Sequence, residues 1–531
     1  MARSPLCRRL ARALRLASLP EGADPASGGR ANASRLSRPS RRDALRAGGV
    51  ALAGLAAARC ASVVPGAAHS GPDEVLVVGG GLAGLTAAYR LKQAGVAVRV
   101  LEAQERIGGR MRSLTGHFPE GLVAELGAEL IDTSHESLRR LAAELGLELD
   151  DLLVEPPGVT ETLFFAGARR SEAEMVEAMR PVVAAARRDL ALLGEEPDAS
   201  YQGPEAARAL DALSIPAWLE KHGISGWART LVEVAFESEC GLPPGDQSCL
   251  NFLLFASFDP EHPKLYGESD ERYHVRGGND QVPTLLAGKL DDAVLRGTRL
   301  EALRTGSDGR YVATVRREGV SREERASHVV LALPFTLLRD VRLDVPLSPA
   351  KKRAIAELGY GTNAKLMTGW TRREWRLAHG STGTVMTDAG FQVAWETSRA
   401  QKGSAGVLTN FTGGAEGLAV GQGTAQERAV ELAGRLDRVF PGLSAHHRAS
   451  EAVRFHWPTH PWTRGSYACY RVGQITAFGG AEAEREGGVF FAGEHTSADF
   501  QGFMEGACES GERAAREVLS AMGLSERAPA A

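Results

Sequence analysis

The chain has 531 residues, 43% of them hydrophobic and 24% charged, with a formal net charge of −4. That length exceeds one ordinary domain, and the composition is globular rather than disordered or fibrous. The mildly acidic balance provides no extended basic field and argues against a nucleic-acid partner. None of the six cysteines sits in a CxxC pair, which argues against a zinc or thioredoxin-type site. Cys240 and Cys249 either pair in an oxidising compartment or remain two buried free thiols.

Residues 1–46 are rich in Arg and poor in acid, and Ser40-Arg41-Arg42-Asp43-Ala44-Leu45-Arg46 leads into an apolar stretch from Ala47 to Ala58. Paired arginines before such a stretch resemble a bacterial twin-arginine export signal, with Ala44 where a Phe is usual. About a dozen residues are too few to span roughly 30 Å of hydrocarbon. Arg59 before Cys60 spoils a lipoprotein-type cleavage site. The expectation is a signal and leader over residues 1–70, export by the twin-arginine machinery to the periplasm or beyond, and no stable membrane anchor. A basic disordered tail, or a start codon set too far upstream, is the alternative.

Glu74–Val78 is a nearly continuous apolar run, the pattern of a strand buried on both faces. It ends in Gly79-Gly80-Gly81-Leu82-Ala83-Gly84, a GxGxxG. Leu82, Leu85, Ala88 and Leu91 then recur near helical spacing, Gly95 closes the helix, and Val96, Val98 and Val100 alternate as a second strand ending at Glu102. Each part has a physical task in binding a dinucleotide. Gly79 permits the tight turn, Gly81 clears space for a pyrophosphate, and Gly84 lets helix and strand pack closely. The helix N-terminus presents N–H groups to phosphate, and Glu102 accepts from ribose hydroxyls.

Further segments follow in a fixed order: Arg106-Ile-Gly-Gly109-Arg110, Ala124-Glu-Leu-Gly127-Ala128-Glu129, His274 to Pro283, Val329 to Pro334, Val489 to Thr496 through Gly493-Glu494, and Gly502-Phe503-Met504 to Gly511. Over about residues 73–520 this order resembles the flavin-containing amine oxidase family, the group of monoamine and polyamine oxidases. The resemblance implies an α/β Rossmann-like FAD-binding domain with an inserted α+β substrate-binding domain. The first would be assembled from 73–155, 246–340 and 455–520, the second from 156–245 and 341–454, leaving 521–531 as a tail. It also implies FAD rather than NAD, with Arg110 at the diphosphate and Glu494 at the ribityl chain. The implied cofactor contacts are Gly79, Gly81, Leu82, Ala83, Gly84, Glu102, Ala103, Gly109, Arg110, Gly127, Ala128, Glu129, Leu300, Trp462, Gly493, Glu494, Gly502, Phe503 and Met504.

The same resemblance assigns the chemistry. Lys365, in Gly361-Thr-Asn-Ala-Lys365-Leu-Met, stands where the family places a lysine that holds a water near the flavin and opposes protonation of the substrate amine. A surface lysine on a strand is the plain alternative. His456-Trp457-Pro-Thr-His460-Pro-Trp462-Thr-Arg-Gly-Ser466-Tyr467 resembles the stretch before the flavin face of polyamine oxidases, with His460 replacing the usual Asp. Ser466 or Tyr467 stands where some relatives carry a flavin-linking Cys, and Cys469 is displaced, so the FAD is expected to be non-covalent. Tyr467 and Phe503 would wall an aromatic cage with Trp457 supporting it. No Arg follows Gly127-Ala128, where amino acid oxidases of the superfamily grip a carboxylate; Glu129 and Asp132 stand there instead, which favours an amine substrate. Glu233, Glu237 and Glu239 are candidates for an acidic entrance, or a solvated helix face. The expected reaction is amine oxidation, with O2 or a redox protein as electron acceptor. L-amino acid oxidation is the first alternative, and a non-catalytic exported flavin-binding protein is the alternative of another class.

Overall fold

In the computed structural model, which describes residues 74–155, 158–194, 198–255 and 269–524, Glu74–Val78 is the central strand of a five-stranded parallel sheet. The order is Val489–Phe491, His328–Leu331, Glu74–Val78, Ala97–Leu101 and Val294–Leu295. The continuous apolar run is explained by cover on both faces. Val75 and Val77 pack with Leu85 and Leu91 of the Leu82–Gln93 helix and with Val518 of the C-terminal Met504–Ala521 helix. Leu76 and Val78 pack on the opposite face with Phe335 and Phe491. The two helices approach so closely that a Cβ on Gly511 would strike the carbonyl of Ala83. Residues 1–70, with their paired arginines, Cys7 and Cys60, lie outside the described residues.

A second sheet joins Val320–Ala326, Tyr311–Arg317 and Thr298–Thr305 antiparallel and adds Arg342–Asp344 parallel to the last. A third, of seven strands, runs His447–His456, Ala364–Trp370, Gly406–Thr412, Val393–Glu396, Ser381–Thr387, Thr160–Phe165 and Ala168–Arg170. Parallel pairing of Thr160–Phe165 with Ser381–Thr387 brings the two expected substrate-domain segments into one sheet. Helices Glu172–Ala191, Ile215–Lys221 and Gly226–Cys240 accompany it, with Trp218 and His222 both donating to Asp189 at 2.7 and 2.9 Å.

Packing shifts three of the expected junctions. Arg342–Asp344 pairs with Thr298–Thr305, and Ala354 and Ile355 of the Pro349–Glu357 helix enter the same cluster as Leu76 and Val78. Those residues therefore pack with the nucleotide unit, although they fall within 341–454. A short polar edge strand carries no apolar signal that would assign it to a sheet. His447–His456 crosses the 454/455 junction, and Cys249–Phe255 packs with Trp218 and Phe236. Cys240, Cys249, Cys469 and Cys508 are all buried and none is in a disulfide. Among the described residues no helix is long and apolar enough to cross a membrane.

Candidate active site

The carboxyl ends of the parallel strands converge on one cleft of about 870 Å³, partly open to solvent. Gly79, at the end of the first strand, has φ +112°, and a Cβ there would lie 2.6 Å from the Ala332 carbonyl oxygen. Gly84 sits over the same turn, and its Cβ would collide with the Gly79 carbonyl. Gly81 differs: the nearest atom to an added Cβ is the Gly109 Cα at 3.9 Å, so its missing side chain leaves room in the cleft itself. The Leu82–Gln93 helix begins there with no side-chain cap and no acid in its first turn, leaving its N–H groups and positive end to an anion.

Glu102 is buried, with Oε2 accepting from the Gly80 N–H and Oε1 from the Gln104 N–H, both at 2.8 Å. Burial raises its pKa, with these N–H bonds opposing the rise. Arg110 donates through Nη1 to Oε1 of Glu494 and to the Ser466 carbonyl, each at 2.7 Å. Oε2 of Glu494 takes the Gly502 N–H at 2.8 Å. Burial works against charge on Glu494, but Arg110 outweighs it and the carboxyl stays below the usual range. A second uncapped helix, Met504–Ala521, also starts at the cleft. The acid in its first turn, Glu505, is turned away and accepts from the Ser137 and Leu138 N–H groups at 2.8 Å each.

Most residues expected at the cofactor line this cleft: Gly79, Gly81, Leu82, Ala83, Glu102, Ala103, Gly109, Arg110, Ala128, Trp462, Gly493, Glu494, Gly502, Phe503 and Met504. Gly84, Gly127, Glu129 and Leu300 do not. Gly84 and Gly127 act by absence: a Cβ on Gly127 would press into the Arg110 carbonyl and the Trp457 ring. Leu300 is 4% exposed and packs with Leu101 in the core, because alternation along Thr298–Thr305 turns it inward. Ala332, Leu333 and Pro334 line the cleft and had no expected role. Their position just beyond a parallel strand is the signal that would have found them.

Tyr467 and Phe503 both line the cleft. Tyr467 is fully buried and donates its hydroxyl to the Glu239 carbonyl. Phe503 meets the His135 ring edge-on at 5.2 Å. Trp457 stands outside the cleft lining: it donates to the Leu126 carbonyl at 3.0 Å and packs on Phe455 at 4.4 Å. His460 packs against both rings, and burial together with Arg106 and Arg112 lowers its pKa. Ser466 donates to Asn363 at 2.5 Å. Of the acidic-entrance candidates, Glu233 pairs with Arg229 at 2.8 Å and Glu239 is 1% exposed. Burial raises the pKa of Glu237, with Glu416 and Glu233 adding to the rise.

Lys365 is completely buried, which excludes a surface role. Its Nζ donates to Oε2 of Glu129 at 2.6 Å and to the Glu125 carbonyl at 3.0 Å. Glu129 belongs to this pair and not to the cleft lining; burial works against its charge, but Lys365 holds its carboxyl below the usual range. The pair is neutral overall, so the repulsion of a protonated amine expected from a lone cation is compensated. Asp132 is likewise engaged, accepting from the Glu271 N–H at 2.6 Å and facing His135 at 3.2 Å. Trp395, which carried no expectation, donates to Oε1 of Glu129 at 2.9 Å.

A parallel sheet carrying a glycine turn, an acid on the second strand and a long cleft defines a dinucleotide-binding oxidoreductase architecture with a second, sheet-based domain. Residues 82–519 match the family described as flavin containing amine oxidoreductase, and the chain belongs to it. It is 25% identical over 480 residues to an L-amino-acid oxidase of Vipera ammodytes ammodytes, covering 85% of this chain and 93% of that one. Identity is also 25% over 466 residues to the flavin-containing amine oxidase A of Bos taurus, covering 85% of each. Putrescine oxidase bound to putrescine superposes with a TM-score of 0.73 at 24% identity, covering 85% of this chain and 99% of that one. Cyclohexylamine oxidase from Brevibacterium oxydans gives 0.73 at 22%, covering 85% and 100%. These two structures share the fold. The cofactor is FAD, held non-covalently: the space above Gly81 and the two uncapped helix ends fit its diphosphate and flavin, and none of the four described cysteines lines the cleft.

Proposed function

We propose that this chain oxidises an amine lacking a neighbouring carboxylate to an imine, which water hydrolyses to an aldehyde and ammonia or a smaller amine. The observation that carries this reading is the segment after Gly127-Ala128. No Arg follows it; Glu129 stands there, already paired with Lys365 at 2.6 Å. This segment offers an amino acid's carboxylate no free cation, whereas the Tyr467 and Phe503 faces suit a neutral amine and exclude water. Bound FAD supplies the hydride acceptor and passes the electrons to O2, giving H2O2, or to a redox protein.

The test is anaerobic bleaching of the fully loaded holoenzyme with a panel of primary, secondary and polyamines beside L-amino acids. Bleaching by amines alone is expected; no bleaching by any amine overturns the reading. Oxidation of an L-amino acid is the second reading, favoured by the relatives of that name, and the same panel decides it. Separate readings of peroxide and of cytochrome reduction identify the acceptor. Arg41 and Arg42 ahead of the Ala47 to Ala58 stretch support export by the twin-arginine machinery of a bacterium to the periplasm or beyond.

A further inference from the structure

The Lys365–Glu129 pair has a built surrounding. Oε2 of Glu129 takes the Lys365 ammonium at 2.6 Å; Oε1 takes the Trp395 indole N–H at 2.9 Å and the Thr397 hydroxyl. Thr409 donates to Thr397 at 3.1 Å, fixing that hydroxyl in turn. Lys365 Nζ also lies 5.3 Å from the Trp395 ring centroid. Glu129 directly follows Ala128, which lines the cofactor cleft, so the pair stands immediately behind the cleft wall.

We propose that Glu129 is a positioning residue: it keeps the Lys365 ammonium charged and fixed behind the cleft wall, so that Lys365 donates hydrogen bonds during amine oxidation and never abstracts a proton. The proposal rests on the amine-oxidising reading. Its physical basis is that a buried ammonium without an anion sheds its proton, whereas one in contact with a carboxylate keeps it. The other charged groups near Lys365 are occupied elsewhere. Glu125 offers Nζ its backbone carbonyl, while its carboxylate takes His274 at 2.9 Å, the Asn279 N–H at 2.8 Å and the Ser113 hydroxyl at 2.9 Å. On the two flanking strands the residues opposite Lys365 are Phe411 and Phe455, which bring no charge. The resemblance places Glu129 and Lys365 each near the cofactor but says nothing of their contact, which joins residues 236 apart in the chain.

The experiment uses holoenzyme carrying Glu129→Gln, Thr397→Val, Lys365→Met, or Glu129→Gln with Lys365→Met. The flavin absorbance spectrum is titrated with alkali without substrate, and flavin reduction by the best amine of the panel is timed across the same pH range. The Glu129→Gln protein is expected to retain FAD and to show a spectral titration at lower pH than wild type, absent when Lys365→Met is added. Its reduction rate relative to wild type falls about tenfold per pH unit above that titration. The double variant is no slower than Lys365→Met alone. Thr397→Val keeps both charges and shifts the titration in the same direction by less, and it carries the test if Glu129→Gln does not fold. An unshifted titration in both variants, or a double variant slower than Lys365→Met by the full Glu129→Gln factor, overturns the proposal. Failure of every amine to reduce wild-type flavin overturns the amine-oxidising reading instead, and the substrate-free titration still decides the role of Glu129.

Discussion

Arg110 and Glu494 lie 384 residues apart in the chain and meet at 2.7 Å beside the cofactor cleft. The contact ties the segment after the second strand to the segment that closes the sheet, and it holds Glu494 where it also receives the Gly502 N–H. Glu494→Gln leaves the Arg110 guanidinium, whose side chain is 18% exposed, without its anion. Removing one partner of a mostly buried pair costs about 3 kcal/mol. The expected outcome is a lower flavin-to-protein absorbance ratio and a lower midpoint in denaturant unfolding; an unchanged ratio and midpoint would count against this role.

Gly81→Ala and Gly84→Ala separate ligand space from packing space. A Cβ on Gly81 meets no protein atom closer than 3.9 Å, so the variant should fold with the apoprotein melting temperature intact and lose FAD affinity. A Cβ on Gly84 drives into the Gly79 carbonyl, so that variant should lose apoprotein stability by about 1–3 kcal/mol of overpacking. Calorimetry of the two apoproteins, followed by FAD titration, checks both halves.

Lys365→Met removes the ammonium and leaves Glu129 buried with its indole and hydroxyl donors but no cation. The protein should keep FAD and reduce it about a hundredfold more slowly, the scale of losing one preorganised donor. Stopped-flow reduction with a fixed amine measures this. Loss of the flavin itself would instead mark Lys365 as a structural residue.

Acid should destabilise the fold through Glu129, Asp132 and Glu494. Each is buried, which alone would raise its pKa, yet Lys365, His135 and Arg110 respectively bring it below the ordinary value, 4.5 for the glutamates and 3.8 for Asp132. A depressed folded-state pKa contributes stability that is present above the unfolded value and lost as pH falls through the folded one. The melting temperature should therefore fall progressively below about pH 4.5, and the Glu494→Gln variant should fall less steeply. His274 acts with the opposite sign. Burial lowers its pKa, but Glu125 outweighs this and raises it above 6.5, so its contribution is present below that value and lost as pH climbs.

Arg41→Lys combined with Arg42→Lys should trap the precursor in the cytoplasm of a host with twin-arginine export. Immunoblots of fractionated cells measure it, and unchanged appearance outside the cytoplasm would overturn the export reading.

The parts of the site that were legible in the sequence are those whose chemistry is local. Gly79, Gly81, Gly84 and Glu102 belong to one strand–turn–helix–strand unit, where spacing alone dictates geometry. Arg110 and Glu494 came from resemblance, since their contact is long-range. The partner of Lys365 was hidden because strand alternation tells which face a residue occupies and nothing about what stands opposite. Trp395 was hidden for a related reason: it reads as an ordinary core aromatic, and only the folded sheet turns its N–H toward Glu129. Leu300, expected at the cofactor, packs in the core because alternation along Thr298–Thr305 turns it inward.

The parallel sheet also fixes an order of events in biosynthesis. Its central strand, Glu74–Val78, emerges early, but Val489–Phe491 is needed to finish the sheet, and Glu494 and Gly502 to Met504 are needed to shape the cleft. Translation proceeds at roughly 5–20 residues per second, so the first strand waits on the order of tens of seconds for the last. From the synthesis of Leu331 until that of Val489, the edge of His328–Leu331 that Val489–Phe491 will cover is unpaired, the kind of edge that recruits other chains. FAD capture is consequently a late event, completed after nearly the whole chain has been made, and a transcript truncated before Val489 should yield a protein that neither closes its sheet nor holds a flavin.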